Sequence, residues 1–167
     1  MATDEELVAE ARAGSRDAAG ELFERHWPGA WRVAFALSGT AAGAEDIAQD
    51  SFERAFSALG TFNGRSAFST WLHRIVVNRA LNVRRSEARL IHAETGEEEG
   101  SLEAVGGSEL AHAVARLTPD RRAVVVLRYW LDYTPNEIAE TLDVPVGTVH
   151  SRLGRALIDL RKELETA

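Results

Sequence analysis

The strongest constraint on the fold is a pair of threonine–proline steps near the carboxyl end, because each step can start a helix. Thr118-Pro119 and Thr134-Pro135 both place a capping hydroxyl before a proline, which suits the first helical position since its missing N–H is not needed there. Glu137 lies three residues after Thr134 and predicts a complete capping box. This part of the chain is therefore expected to be helical.

A turn interrupts the helical pattern soon after the second of these starts. The sequence Asp143-Val144-Pro145 ends the helix predicted over 135–142, because Pro145 disfavours helical angles at the residue before it. Asp143 occupies the position that such turns usually give to glycine, and aspartate tolerates the left-handed conformation better than most residues. The core positions predicted on either side are Ile138, Ala139, Leu142, Val149, Leu153 and Leu157. This arrangement predicts a helix-turn-helix.

The second helix of this motif exposes polar side chains near its amino-terminal end, which is the end that enters the DNA major groove in helix-turn-helix proteins. The candidate DNA-binding residues are Thr148, His150, Ser151, Arg152 and Arg155. An arginine can bind guanine through two hydrogen bonds, at roughly 1–3 kcal/mol of discrimination. Arg161 and Lys162 lie at the far end of the helix, where a favourable interaction with the helix dipole explains them equally well.

Residues 1–90 are predicted to form helices joined by short turns. Pro28-Gly29 is expected to interrupt or bend the second of them. The third carries a polar stripe at spacings of three and four, made of Asp46, Gln49, Asp50 and Glu53. Such a stripe is usually a solvated face, and the absence of basic residues within it also favours a docking surface for a basic partner.

A basic helix follows, expected to be capped by Ser69 or Thr70. Between Arg65 and Arg89 the chain has six arginines and one acidic residue. One face of this helix presents Arg74, Asn78, Asn82, Arg85 and Arg89, and the opposite side presents Leu72, Ile75, Val76 and Val83 to a core. The turn before it contains Asn63, Gly64, Arg65 and Ser66, followed by Phe68 and Trp71. Aromatic rings beside a basic helix suit unstacked single-stranded bases, and both rings are also compatible with the core.

Charge and composition divide the chain into two parts. The net charge is −7, and residues 91–108 contain five acidic residues and no lysine or arginine. This segment is predicted to be a linker between a domain at 1–90 and a domain at 109–167, as a solvated tether or as a mask for basic surfaces. The chain lacks cysteine and any long apolar run, and its histidines show no catalytic or metal-binding spacing. An all-α cytoplasmic protein without cofactor, metal or enzymatic activity is expected.

Three segments together resemble a bacterial RNA polymerase sigma factor of the extracytoplasmic-function (ECF, group four) subfamily. They are AEDIAQDSFERAF, FNGRSAFSTWLHRIVVNRALNVRR and LTPDRRAVVVLRYWLDYTPNEIAETLDVPVGTVHSRLGRALIDLR, in the family's order. The resemblance implies that the first domain is region two, which binds the clamp helices of the polymerase β′ subunit and the minus-ten promoter element. It implies that the second is region four, which binds the minus-thirty-five element and the β flap.

The same resemblance assigns roles to individual residues. The stripe from Asp46 to Glu53 matches the segment that binds β′. The loop from Asn63 to Phe68 and the helix from Trp71 onward match the segment that melts the minus-ten element and holds a flipped base. An anti-sigma partner is also implied. The alternative reading is a helix-turn-helix regulator that acts without core polymerase, although residues 1–90 show no receiver domain or ligand pocket.

Overall fold

Helices account for every regular element in the part of the chain that the structure describes. The computed structural model describes residues 1–91 and 108–166, so nearly all of the predicted linker lies outside the described residues. The helices are α1 (Asp4–Arg12), α2 (Arg16–Ser38), α3 (Ala41–Ser57), α4 (Phe68–Ile91), α5 (Glu109–Arg116), α6 (Pro119–Val125), α7 (Pro135–Leu142) and α8 (Val146–Thr166). A 3-10 turn at Leu59–Thr61 follows α3, and a π-helical turn at Val126–Trp130 follows α6. The all-α prediction is confirmed.

The N-terminal domain, α1 to α4, is built around the apolar faces of α2, α3 and α4. Leu22, Phe52, Leu72 and Val76 are at most 2 % exposed at its centre. The Phe52 ring lies 4.8 Å from the Phe23 ring, centroid to centroid. Burial of these side chains is the main source of the domain's stability, since a fully buried large apolar side chain contributes about 1.5–3 kcal/mol.

Helix α2 runs without interruption through Pro28, contrary to the predicted interruption. Proline removes one backbone donor, and the apolar contacts of a 23-residue helix outweigh that loss. Gly29 lies close to α4, because a Cβ atom built on it would come within 3.3 Å of Nε2 of His73. The helix ends at Gly39, whose φ of 82° is the left-handed conformation that glycine adopts most easily.

Helix α4 begins earlier than the sequence suggested. Phe68 is its first residue, and the carbonyl of Ala67 already accepts a hydrogen bond from the backbone N–H of Trp71 at 3.2 Å. Ser69 and Thr70 therefore lie inside the helix, so the prediction that one of them caps it is wrong. The first turn of α4 instead follows directly on the loop at 62–67.

The helix-turn-helix of the C-terminal domain, α5 to α8, is confirmed. Thr134 Oγ1 accepts from the Glu137 backbone N–H at 3.2 Å, and a Glu137 carboxylate oxygen accepts from the Thr134 N–H at 2.8 Å. Asp143 ends α7 with φ 54° and ψ 51°, in the predicted left-handed conformation. At the other threonine–proline step, Thr118 precedes α6 but its side chain makes no capping hydrogen bond, so that part of the prediction is wrong.

The buried face of α8 differs from the predicted one at a single position. Val149, Leu153, Ala156 and Leu160 are buried, whereas Leu157 is 47 % exposed. Steps of four residues advance 40° beyond a full turn of an ideal helix, because each residue turns it by about 100°. Two such steps rotate Leu157 away from Val149, while alternating steps of four and three keep the seam on one face.

The two domains pack against each other in this arrangement. Helix α2 contacts α6 and the π-helical turn, and Val124, Val126 and Leu127 belong to the same buried cluster as the core of the N-terminal domain. Across residues 1–91 and 108–166, none of the helices combines the length and the apolar character that a membrane span needs.

We predict that Leu160→Ala lowers the free energy of unfolding by about 2 kcal/mol or more, because it leaves a cavity beneath α8. Leu157→Ala on the same helix is the matched control and should change it by less than about 0.5 kcal/mol. Urea denaturation followed by circular dichroism measures both values. Equal losses for the two variants would contradict the buried face described above.

Candidate nucleic-acid and protein interfaces

The loop between the 3-10 turn and α4 holds a defined shape. The Asn63 side-chain oxygen accepts from the backbone N–H of Arg65 at 3.0 Å, and Gly64 between them has a φ of 73°. This local hydrogen bond closes the turn between Asn63 and Arg65. The side chains of Asn63 and Arg65 are exposed and that of Ser66 is half-buried, so the loop presents polar groups to solvent.

Arg12 of α1 fixes the base of this loop and was not identified from the sequence. Its Nε donates to the carbonyl of Leu59 at 2.9 Å, and Nη2 donates to the carbonyl of Phe62. Both carbonyls belong to the turn that leads into Asn63. Nothing in the sequence indicated this contact, because 47 residues separate Arg12 from Leu59.

The two aromatic residues predicted to meet bases have different environments. Phe68 is only 2 % exposed and its ring lies 6.0 Å from the Phe62 ring, so it supports the loop from the core and has little surface left for a base. Trp71 is half-buried, with its ring 5.2 Å from that of Phe62. Part of the Trp71 indole therefore stays accessible beside the loop.

The polar face of α4 is exposed along its whole predicted length. Asn78, Asn82 and Arg85 reach solvent, as does Arg74 nearer the start of the helix. Arg74 also contacts the C-terminal domain: its guanidinium carbon lies 5.9 Å from the centre of the Tyr133 ring, and Nη2 lies 3.9 Å from a Glu137 carboxylate oxygen. The structure brings this face together with the loop described above.

The predicted acidic stripe lies along the outer side of α3. Asp46, Gln49 and Glu53 are exposed. Asp50 is half-buried because its carboxylate pairs with Arg54 at 3.1 Å and with Arg79 of α4. Asp50 therefore joins two helices of the core, a contact that the stripe pattern alone did not indicate.

The amino-terminal end of α8 presents most of its predicted DNA-binding residues to solvent. His150, Ser151 and Arg155 are exposed, and Thr148 is half-buried. Arg152 is held back by an ion pair, because its Nη2 lies 3.2 Å from a carboxylate oxygen of Asp120 on α6.

Asp120 also connects this helix to the N-terminal domain. Its second carboxylate oxygen lies 3.2 Å from Nη2 of Arg84 on α4, so one carboxylate bridges α4 and α8. The Asp120 side chain is 58 % exposed, which makes each pair weak. In this packed arrangement, cations from both predicted DNA-binding helices are engaged within the chain.

Ionisable groups at this domain contact have shifted pKa values. The backbone and side-chain hydrogen bonds with Thr134 hold the pKa of Glu137 below its usual value, and Arg74 adds to the effect. Burial raises the pKa of Tyr133, while Arg74 opposes that rise. Glu137 therefore stays a carboxylate at neutral pH and Tyr133 stays an uncharged phenol, which suits their contacts with the Arg74 cation.

The described residues 1–91 and 108–166 contain no group of three or more histidine and acidic side chains that is arranged to hold a metal ion. The chemistry that these surfaces do offer is recognition. Arginine and asparagine can bind phosphates and base edges, and the acidic side chains can bind a basic protein surface.

Comparison with known proteins agrees with this set of surfaces. Residues 22–90 match the family model for Sigma-70 region 2, and residues 108–160 match that for Sigma-70 region 4. The ECF RNA polymerase sigma factor SigW of Bacillus subtilis is 30 % identical over 94 % of each chain. The ECF RNA polymerase sigma-E factor of Escherichia coli K12 is 33 % identical over 92 % of this chain and 90 % of its own.

Solved structures show the same fold. The sigma factor RpoE in complex with the anti-sigma factor NepR from Bartonella quintana superimposes with a TM-score of 0.69 at 24 % identity, over 87 % of this chain and 96 % of that chain. CnrH in complex with the cytosolic domain of CnrY gives a TM-score of 0.62 at 28 % identity, over 98 % and 97 %. Together with the two matched regions, these relatives show that the chain belongs to the sigma-70 family and, within it, to the ECF sigma factors of RNA polymerase.

Proposed function

We propose that this sigma factor binds core RNA polymerase and directs it to promoters through two separate DNA-reading surfaces. The proposal rests on a contrast between the side chains exposed on two helices and the net charge of the chain. Exposed arginine, asparagine and serine side chains lie on α4 and α8, yet the chain has a net charge of −7. Affinity for DNA comes largely from phosphate contacts with cations, so such a chain needs a partner to hold it on the template.

The proposed division of labour follows the predicted domain boundaries. Residues 1–90 act as region two, residues 91–108 as the linker and residues 109–167 as region four. Asp46, Gln49 and Glu53 offer the β′ clamp helices an exposed acidic and amide stripe, and Asp50 braces it from within. Region four would also contact the β flap.

For the minus-ten element, the proposed contacts are the polar loop and the exposed face of α4. Asn63, Arg65 and Ser66 would meet a flipped base, with the accessible part of Trp71 as a stacking surface. The α4 residues would follow the strand beyond it through Arg74, Asn78, Asn82 and Arg85. Buried Phe68 would keep the loop in shape without touching DNA.

For the minus-thirty-five element, the proposed reader is the amino-terminal end of α8. Arg155, Ser151 and His150 are free to enter a major groove, with Thr148 beside them. Arg152 joins them only after it leaves Asp120. Asp120 also pairs with Arg84 of the other domain, so we propose that promoter binding separates the packed domains and that polymerase supplies the free energy for that step.

The relatives also guide the choice of partner and compartment. RpoE has been solved with an anti-sigma factor, and we propose that an anti-sigma factor controls this chain as well. We place the protein in the cytoplasm, where core polymerase and promoter DNA are found, and assign it a non-catalytic role. The alternative, a regulator acting without core polymerase, is tested by transcription from a promoter library with purified core enzyme, with and without the chain.

We predict that reversing two exposed charges on α3, Asp46→Lys with Glu53→Lys, weakens binding to core polymerase about tenfold or more, because it places cations against a basic surface. Asp50 is left intact because it pairs with Arg79. Glu10→Lys with Glu24→Lys, on α1 and α2, is the matched control and should bind normally. Pull-down with core enzyme measures the affinity, and circular dichroism checks folding. Unchanged binding of the α3 variant would exclude this surface.

We predict that Arg155→Ala reduces transcription that depends on the upstream element about tenfold, since one bidentate arginine–guanine contact discriminates by roughly 1–3 kcal/mol. Binding to core polymerase should not change. Arg161→Ala near the end of α8 is the control and should retain activity. Promoters from the library are assayed with and without their upstream element, and an equal loss of core binding would contradict the assignment.

We predict that Asp120→Ala releases Arg152 and strengthens binding of the free chain to promoter DNA about two- to fivefold, because an exposed ion pair contributes up to about 1 kcal/mol. Asp17→Ala makes the same charge change in the first turn of α2 and is the control. Fluorescence anisotropy with labelled DNA measures both. An equal gain in the two variants would indicate a general charge effect and no release of Arg152.

A further inference from the structure

A cavity lies between the two domains, where α2 faces α5 and the π-helical turn. Its volume is about 570 Å³, within the range of about 300–1,000 Å³ that small-molecule sites occupy. Both domains supply its walls, which are mainly apolar and aromatic. The residues that matter for its chemistry are Trp31, Phe35, His73, Arg122, Trp130 and Leu131.

Arg122 is the unusual member of this wall. Only 9 % of its surface is exposed, and neither Nε nor Nη1 has a hydrogen-bond partner among residues 1–91 and 108–166. A guanidinium cation removed from water without hydrogen bonds is strongly destabilising. Burial lowers the pKa of Arg122, and the nearby cation of Arg84 lowers it further. Arg122 therefore brings an unpaired cation to the wall of the cavity, and because Nε and Nη1 have almost no accessible surface, an anion in the cavity contacts them only after the side chain turns toward it.

The surroundings of Arg122 restrict the kind of anion. Trp31, Phe35 and Leu131 are half-buried apolar side chains, and they favour a ligand with an apolar body. His73 adds no permanent charge, because burial lowers its pKa. Arg32 is exposed at the same cavity and adds a second cation. The planar guanidinium of arginine binds carboxylates through two parallel hydrogen bonds.

We propose that this cavity is a binding site for a small amphipathic carboxylate, with its apolar chain or ring between the domains and its anionic group on Arg122. A larger anion would exceed the volume of the cavity, and a more polar one would leave the aromatic walls without apolar contacts. An uncharged apolar molecule would leave the guanidinium unpaired. The ligand class is thus fixed by one buried cation within an apolar cavity of this size.

Such a ligand would also regulate the chain. Because each domain forms part of the cavity, occupancy stabilises the packed arrangement in which Arg84 of α4 pairs with Asp120 of α6. Bound carboxylate should therefore oppose binding to promoter DNA. This consequence rests on the proposed function, whereas the binding site itself does not, so the two are measured separately.

The first experiment titrates the purified full-length chain with decanoate and with decanol by calorimetry, well below the concentrations at which either aggregates. Decanoate should bind, and Arg122→Met should weaken it about tenfold or more, because a hydrogen-bonded charge is lost. Arg16→Met removes an exposed arginine at the start of α2 and should bind decanoate like the unmodified chain. Decanol should bind weakly and equally to all three. No binding of decanoate, or equal binding to Arg122→Met, would overturn the proposal.

A second variant guards against misfolding of the first. Ala115 lines the cavity, and Ala115→Trp fills part of it while leaving Arg122 in place. This variant should also lose decanoate binding at least tenfold. Arg122→Met should itself raise the thermal midpoint of the unliganded chain, because it removes an unpaired buried charge. Normal decanoate binding by Ala115→Trp would show that the ligand binds elsewhere.

The acidic residues of the linker provide the remaining test. Changing Glu94, Glu97, Glu98, Glu99 and Glu103 to glutamine should leave decanoate affinity within about twofold. If decanoate bound only after this change, the chain itself would supply the anion and the assignment to a small ligand would be wrong. A DNA-binding assay with decanoate then tests the regulatory consequence. Loss of that effect alone would leave the site intact and contradict only its link to promoter binding.

Discussion

The packing of α2 against the rest of the molecule is the interaction on which the structure depends. One side of this helix contributes Leu22 to the centre of the N-terminal domain, and its later turns contact α6 and the π-helical turn of the C-terminal domain. That dual role requires a long helix, and the chain maintains one through Pro28. The apolar contacts along both partners outweigh the single backbone hydrogen bond that proline removes. This packing also sets the position of α4 relative to α8, the two helices that we propose read DNA.

Ion pairs within the chain explain how an acidic protein can carry two helices that we propose read DNA. Several of its carboxylates lie next to arginine side chains and pair with them directly. Asp120 binds Arg84 and Arg152, and Asp50 binds Arg79, so acidic residues are direct partners of cations on α4 and α8. Binding to phosphate then exchanges one anion for another and gains less than binding by a free cation. We infer that these pairs lower the affinity for free DNA, and that polymerase, by holding the domains apart, breaks the one pair that joins them, between Arg84 and Asp120.

The sequence was sufficient for some features that depend on neighbours within four residues, although Thr118 makes no capping hydrogen bond and Ser69 and Thr70 lie inside α4. The Thr134 capping box and the left-handed Asp143 follow from local hydrogen bonding and backbone sterics, and both are present. Features that depend on distant contacts were not predictable in this way. Asp50 resembled the other members of an exposed stripe until Arg79 was placed beside it, and nothing near Arg122 in the sequence marks it as a buried cation. The site was predicted only in part for the same reason. Helix periodicity identifies the exposed face of α4, but it does not show which residues of the other domain contact that face.

The hydrogen bonds of Arg12 connect the first helix to the loop that we propose binds DNA. This side chain donates hydrogen bonds to the carbonyls of Leu59 and Phe62, so α1 helps to set the shape of the loop that follows them. A proteolytic cut just after α1, or an extension that pulls this helix away, would leave every proposed contact residue in place and still loosen the loop. Helix α1 thus supports the proposed base-reading loop mechanically, although 47 residues separate Arg12 from Leu59.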